Sequence, residues 1–275
     1  MKPRSIILDL FGDYLRYAGA EIKLGDMTRL LAVFGIEPAT VRVSMSRLKK
    51  AGWFITRRQQ RETIYELSAD MLRVLDEGRV RIFQRPQGSW CGKWTMVIYQ
   101  VPETDRALRE QLRKDLSWHG FGQLSTSTWV AARDLFQEAH KLASDYPSAT
   151  IDVFWCGTGD TDTDTQLAAR CWDLDQLARD YEQFIANYAS LNDVAANSTK
   201  PGDQALVERT QLISDFRRFL FRDPFLPAEL QSADWPGDQA FELFKEIHWQ
   251  LAAPSNAFVS SLIGREIEVE SAALR

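Results

Sequence analysis

The fold of the first part of this 275-residue chain is decided by the stretch Pro38-Ala39-Thr40-Val41-Arg42-Val43-Ser44-Met45-Ser46-Arg47-Leu48-Lys49-Lys50. Its apolar spacing predicts an amphipathic helix over residues 38–51. The inward face of this helix comprises Val41, Ser44, Met45 and Leu48. The opposite face, called the reading face below, comprises Arg42, Val43, Ser46, Arg47 and Lys50. It carries three cations and no carboxylate, which suits the major groove of DNA, where Arg bonds guanine and Val touches a thymine methyl. A solvated basic face is the alternative interpretation.

A helix-turn-helix is predicted around this segment. Residues 4–18 have apolar side chains at helical spacing, and Asp26 can cap a second helix that is stopped by Gly35. The turn Gly35-Ile36-Glu37 then joins two short amphipathic helices, which is the helix-turn-helix spacing.

A basic hairpin is predicted after the third helix. Residues 53–58 and 63–67 are strand-like runs of aromatic and β-branched side chains, with Gln59-Gln60 between them. The cations of this hairpin are Arg57, Arg58 and Arg61. They would contact phosphates or a minor groove, as the wing of a winged helix does. Ser68 can cap a further helix to about Phe83, and residues 85–89 are predicted to form a linker.

The charge is distributed unevenly along the chain. Residues 1–85 hold 16 Lys and Arg against 10 Asp and Glu, a net charge of +6, whereas the whole chain carries −5 and the remainder therefore −11. A basic part of an acidic protein suggests a local footprint for a polyanion, with chance clustering of solvated charges as the alternative.

Several other classes of protein are disfavoured. The sequence contains no run of 18 apolar residues, so no membrane span is predicted. Asp9 interrupts the first apolar run too early for a secretory signal, and we therefore expect a cytoplasmic protein. The three cysteines and three histidines lack metal-ligand spacing, so neither a metal nor a cofactor is expected. The sequence has no P-loop, no G-x-S-x-G, no H-E-x-x-H and no dinucleotide fingerprint, which argues against an enzyme.

The rest of the chain predicts an α+β protein. Strand-like and helical runs alternate as β-α-β-β-α-β over residues 90–160, which predicts a ferredoxin-like domain. Residues 161–275 are mostly helical, with one long helix predicted around 167–188, a loop over 192–202 and further helices over 204–221 and 239–252. The predicted domains are therefore residues 1–85 for DNA binding, 90–160 for the ferredoxin-like part and 161–275 for the helical part.

Taken together, the chain resembles the PaaX family, bacterial repressors of phenylacetate degradation. The motifs that carry the resemblance are Leu10-Phe11-Gly12-Asp13-Tyr14, residues 41–48, residues 94–103, Leu116-Ser117-Trp118-His119-Gly120-Phe121-Gly122, Trp129, Phe219-Leu220-Phe221-Arg222-Asp223-Pro224-Phe225-Leu226-Pro227 and Asp234-Trp235-Pro236-Gly237. The resemblance implies a winged helix-turn-helix, a Cas2-like ferredoxin domain and a helical carboxy-terminal domain. It further implies a homodimer on palindromic double-stranded DNA that is released by an aromatic acyl-coenzyme A such as phenylacetyl-coenzyme A. The family wing has a glycine near its tip, where Gln59-Gln60 stand in this sequence.

Such an effector needs an apolar slot and cations for its phosphates. The candidate residues are Trp94, Trp118, Trp129, Arg133, Arg217, Arg218 and Arg222. Core packing of the tryptophans and solvation of the arginines are the competing interpretations. A regulator or activator of the same architecture with a different effector remains an alternative. The Cas2 likeness also raises a metal-dependent nuclease, but Gln100 stands where such nucleases place a metal-binding aspartate, and a neutral amide is a poor divalent ligand.

Overall fold

The computed structural model describes residues 1–85, 89–197 and 200–267. The chain divides into two compact units. The first unit comprises Met1–Gln84, Phe184–Arg217 and the segment that begins at Gln239, and the second comprises Arg85–Gln183 and Arg218–Asp238. This division differs from the three consecutive domains predicted at 1–85, 90–160 and 161–275, because parts of the last segment belong to each unit. Residues 86–88 of the predicted linker lie outside the described residues.

The first unit begins with helices and a small sheet. The elements are α1 (Pro3–Asp13), a 3-10 helix (Leu15–Ala18), β1 (Glu21–Lys23), α2 (Leu24–Ala32), α3 (Pro38–Lys50), β2 (Phe54–Gln59), β3 (Glu62–Leu67) and α4 (Ala69–Phe83). The first helix is shorter than predicted because the backbone leaves the helical conformation at Tyr14. Asp26 lies in the first turn of α2 and does not cap it, since the helix begins at Leu24. Strand β1 was not anticipated from the sequence, because three residues are too few to show an alternating pattern.

A three-stranded antiparallel sheet follows the order β1-β3-β2. Strands β2 and β3 form a hairpin in which Gln59 pairs with Glu62, so the two-residue turn is Gln60-Arg61, one residue later than predicted. Gln60 has a φ of 54°, a left-handed conformation that glycine adopts more easily. The position where the resemblance implies a glycine therefore has the backbone conformation that favours one.

The second unit is built around a four-stranded antiparallel sheet. Its elements are β4 (Trp94–Gln100), α5 (Arg106–Trp118), β5 (Gly122–Gln123), β6 (Thr128–Ala131), α6 (Phe136–Ser144), β7 (Thr150–Cys156) and α7 (Thr161–Cys171). The β-α-β-β-α-β connectivity is the one predicted for a ferredoxin-like domain. The strands lie in the order β5-β6-β4-β7. Val97, Tyr99 and Trp129 pack with α5 and α6 on one side of the sheet, whereas Trp94 and Val130 belong to a separate core with Leu226 and Leu230. The sheet thus has an apolar core on each face.

Four further helices complete the described chain. They are α8 (Leu174–Asn197), α9 (Gly202–Phe216), α10 (Gly237–Gln250) and α11 (Ala252–Ile263), with 3-10 helices at Phe219–Phe221 and Ala228–Leu230. The long helix predicted around 167–188 is interrupted, because Trp172 is extended and Asp173 accepts a hydrogen bond from the Gln176 backbone amide at 3.1 Å. The predicted loop over 192–202 is helical as far as Asn197, and residues 198 and 199 lie outside the described part.

Two helix boundaries near the end of the chain also differ from the prediction. The helix predicted over 204–221 ends at Phe216. The helix predicted over 239–252 ends at Gln250 and is followed by a further helix, α11, that was not predicted. Pro254 lies in the first turn of α11. Backbone amides in the first turn have no acceptor within the helix, so a proline there costs no hydrogen bond.

The core of the first unit joins distant parts of the chain. Its members in the amino-terminal helices include Leu10 and Phe11, and those from α9, α11 and the residues after them are Leu206, Val259, Ile263 and Ile267. The helices at the two ends of the chain therefore share one apolar core.

Candidate DNA-binding surface

Helix α3 is amphipathic in the structure as the sequence predicts. Val41, Met45 and Leu48 are buried in the core of the first unit. All five residues of the reading face are exposed, namely Arg42, Val43, Ser46, Arg47 and Lys50. Val43 is 49% exposed, so an apolar side chain stands in solvent among cations. This combination leaves charged and methyl-contacting groups available to an external partner.

Lys49 is a cation that the reading face did not include. It lies in the last turn of α3 and is exposed, like Arg47 and Lys50 in the same turn. Cations in this position are favourable because the carboxy-terminal end of a helix is partly negative. Lys49 therefore adds positive charge beside the reading face. Its position between the cations Arg47 and Lys50 in the sequence was the signal that could have identified it.

The hairpin cations occupy different faces of the small sheet. Arg57 and Arg58 are successive residues of β2, so their side chains point to opposite faces. Arg57 Nη2 donates to Glu21 Oε2 of β1 at 2.7 Å. Arg58 and Arg61 are exposed near the hairpin tip. An exposed ion pair is worth little, about 0–1 kcal/mol, so the Glu21 contact does not prevent Arg57 from binding elsewhere.

A buried charge cluster holds α1 against the carboxy-terminal helices of the same unit. Asp13 Oδ2 lies 3.2 Å from Arg209 Nη1 of α9, and Asp13 Oδ1 lies 3.0 Å from His248 Nε2 of α10. Burial raises the pKa of Asp13, but Arg209 and His248 outweigh burial and bring it to about 2. Burial and Arg209 lower the pKa of His248, against the attraction of Asp13.

A second buried carboxylate, Asp9, lies one turn earlier on α1. Its Oδ1 is 3.2 Å from Arg217 Nη1. Burial raises the pKa of Asp9 to about 7, a shift that Arg217 opposes and Asp13 reinforces. The helix behind the candidate surface is thus anchored by ion pairs whose charge states depend on burial.

Two of the candidate effector-binding tryptophans are core residues. Trp94 is fully buried and its Nε1 donates to Asp164 Oδ1 at 2.6 Å, while Trp129 is 4% exposed in the core beneath α5 and α6. Trp118 is half-buried, and its ring lies 5.2 Å from that of Phe221, which is 61% exposed. Only Trp118 of the three therefore combines an accessible ring with an exposed aromatic neighbour.

The four candidate arginines have different partners within their own units. Arg217 belongs to the first unit, where it pairs with Asp9 and donates to Ser5. In the second unit Arg133 lies over the Phe225 ring at 5.7 Å, and Arg222 pairs with Asp180. Arg218 is exposed and has electrostatic neighbours of its own.

The structure also bears on the nuclease alternative. Gln100 is the last residue of β4 and is exposed, which is the position predicted for it. Within residues 1–85, 89–197 and 200–267, no group of three or more His, Cys, Asp or Glu is placed to hold a metal ion. Across the same ranges no helix has both the length and the apolarity needed to cross a bilayer.

Comparison with known proteins gives similarity along nearly the whole chain. Residues 2–71 match the model described as PaaX-like protein, residues 87–168 that of the PaaX protein central Cas2-like domain, and residues 172–261 that of the PaaX-like protein C-terminal domain. The transcriptional repressor PaaX of Escherichia coli is 31% identical over 265 residues, which cover 93% of this chain and 82% of that repressor. The prediction of an α+β protein with a Cas2-like middle part is confirmed.

A solved structure shares the fold. The uncharacterized protein Rv0674 from Mycobacterium tuberculosis superposes with a TM-score of 0.62 at 24% identity, covering 93% of this chain and 98% of that one. At this identity the likeness concerns the fold alone.

Proposed function

The chain belongs to the PaaX family, and from this premise we propose that it is a DNA-binding transcriptional repressor of an aromatic-acid catabolic operon of the phenylacetate type. The observation that carries the proposal is the reading face of α3, which is fully exposed and purely cationic in its charge. Its relative from Escherichia coli is a transcriptional repressor, which favours regulation over catalysis.

We propose that the amino-terminal elements form a winged helix-turn-helix, with α3 as its recognition helix. The order α1-β1-α2-α3-β2-β3 and the turn between α2 and α3 support this assignment. In this arrangement Arg42, Ser46, Arg47 and Lys50 reach base edges and flanking phosphates, and Val43 touches a thymine methyl. Arg57, Arg58 and Arg61 of the hairpin contact the backbone, which fixes position without reading sequence.

A homodimer would place two copies of α3 in successive major grooves about 34 Å apart on a palindromic operator. Release would follow from an aromatic acyl-coenzyme A that favours a dimer geometry less suited to DNA, with a coupling free energy of about 1–3 kcal/mol. Of the candidate effector residues, Trp118 is supported best, because its ring and that of Phe221 offer accessible aromatic surface. Arg222, next to Phe221 in the chain, is a candidate cation for the effector phosphates.

The test is fluorescence anisotropy of the purified protein on labelled DNA from upstream of its own gene. We expect tight, salt-sensitive binding that exceeds binding to a random duplex and that phenylacetyl-coenzyme A reverses. Binding that ignores the thioester would contradict the effector class and leave the DNA-binding proposal standing. Equal affinity for operator and random duplexes would contradict sequence-specific repression.

A further inference from the structure

A groove of about 700 Å³ opens beside α3, on the flank of the reading face. One wall is the start of α1 and the other is α3 itself. The residues that line it are Lys2, Pro3, Arg4, Ala39, Thr40, Val43, Ser44, Arg47, Leu48 and Ala51. Its volume lies within the roughly 300–1,000 Å³ of small-molecule sites, so it is large enough for a nucleotide unit. The winged-helix assignment gives no role to Lys2 or Arg4, which line this groove.

The charged residues that line the groove are all cations. Its cations are Lys2, Arg4 and Arg47, and among the described residues that line it no side chain is acidic. The Arg4 guanidinium lies 4.7 Å from the centre of the Trp53 ring. A planar guanidinium stacked on an aromatic ring is partly ordered before it binds, which lowers the entropy lost when it grips an anion.

The lining of the groove also includes small or aliphatic side chains, such as Ala39, Val43 and Ala51. Such side chains let a polymer approach the helix closely, and they offer apolar contact without a hydrogen-bonding demand. A nucleic-acid backbone has this combination of anionic phosphates and largely apolar sugar rings. The mixture of cationic and apolar side chains in the lining therefore complements a sugar-phosphate strand.

The groove is continuous with the reading face, because Val43 and Arg47 belong to both. We propose that the groove binds the sugar-phosphate backbone of the DNA strand flanking the major groove that α3 enters, with Lys2 and Arg4 gripping its phosphates. This inference rests on the proposed function and extends it to a site on α1. Lys2 and Arg4 thus act as a clamp that holds α3 in register and reads no sequence.

The test compares variants by anisotropy across a series of salt concentrations, on operator and random duplexes. We expect K2A and R4A each to lower the slope of log Kd against log salt by about 0.9 per bound protomer, with equal loss on both duplexes. The control K141A removes an exposed lysine of the second unit and should leave the slope unchanged.

A second pair of variants tests the groove without removing its cations. A39E and A39Q place side chains of nearly equal size in the first turn of α3, where a carboxylate favours the helix. We expect A39E to bind both duplexes at least several-fold more weakly than A39Q, because its charge repels the phosphate, while both variants melt like the wild type.

The outcomes separate this inference from the proposed function. One outcome contradicts only the backbone contact by Lys2 and Arg4: K2A and R4A keep the wild-type salt slope, and A39E binds like A39Q. If R47A loses operator preference in the same experiments, the repressor proposal stands. If the wild type binds no duplex, both fail. If K2A and R4A instead abolish self-association of the DNA-free protein in sedimentation velocity, the groove holds a second copy of the chain and the backbone assignment is overturned.

Discussion

Arg47 and Arg58 are exposed cations to which the proposed function assigns different tasks. Arg47 lies on the reading face of α3, whereas Arg58 lies on the hairpin. The proposed function gives Arg47 a base edge and Arg58 the DNA backbone. A contact to a base edge discriminates one base pair from another by about 1–3 kcal/mol, whereas a phosphate contact is independent of sequence. The two side chains therefore contribute to different measurable quantities.

We expect R47A to lose most of its preference for operator over random DNA. R58A should weaken binding to both duplexes alike and reduce the salt slope by about 1 per protomer, with the preference kept. Anisotropy titrations of both variants on both duplexes, at several salt concentrations, measure these effects. Wild-type operator preference in R47A would show that the reading face is placed wrongly.

At the scale of elements, the packing of α1 against α9 and α10 depends on buried ionisable groups. Burial raises the pKa of Asp9 from 3.8 to about 7. Between these two pH values Asp9 is protonated in the folded state and ionised in the unfolded state. Asp9 thus contributes stability that is complete below pH 4 and is lost as the pH rises through 7. The pKa of His248 is lowered from 6.5, so its contribution has the opposite sign and is lost as the pH falls below 6.5.

The variant D9N separates the two contributions. It removes the titrating carboxyl of Asp9 and leaves His248 in place. As the pH rises from 5 to 7, the free energy of unfolding of D9N should therefore increase relative to that of the wild type. The gain should not exceed about 1.4 kcal/mol per pH unit, the limit for a single proton. Denaturant unfolding at each pH measures it, with H248Q as the variant of opposite slope. Parallel pH curves for D9N and the wild type would contradict the role of Asp9.

Elements with a local signature could be predicted from the sequence. The amphipathic spacing of α3 and the two strands of the hairpin were found to within about two residues. Ser68 caps α4 as predicted, accepting from the Met71 amide at 3.2 Å. The elements that were missed lacked such a signature: β1 has three residues that pair with β3, and α11 carries a proline that is harmless only in a first turn.

The candidate site divides along the same line. The reading face follows from local spacing, because burial of Val41, Met45 and Leu48 dictates which residues of α3 face solvent. The effector residues depend on contacts between distant segments, and there Trp94 and Trp129 proved to be core. Lys2 and Arg4 were missed for the same reason, since their closeness to α3 arises from tertiary packing.

At the scale of the whole molecule, the amino-terminal elements share their core with helices from the far end of the chain. Leu206 of α9 and Val259 and Ile263 of α11 are buried in one core with Leu10 and Phe11 of α1. Arg209 forms an ion pair with the buried Asp13 of α1, and His248 lies within hydrogen-bond distance of the same carboxylate. Each large apolar side chain that is buried contributes about 1.5–3 kcal/mol, and total stabilities of domains are about 5–15 kcal/mol. Removal of these helices would therefore consume much of the stability of the amino-terminal part.

We accordingly expect a fragment of residues 1–85 to be far less stable than the full chain, even though the sequence predicts it as a domain. Asp13 would be solvated rather than paired, and the faces of α1 and α2 that pack on α9 and α11 would be exposed. Circular dichroism should show a broad melt at a lower temperature than that of the full chain, and the fragment should bind operator DNA more weakly than the full chain. A D13N version of the fragment should melt like the fragment itself, because Asp13 is already solvated there, so the loss of stability measures the apolar contacts. A cooperative melt of the fragment at the temperature of the full chain would contradict the shared core.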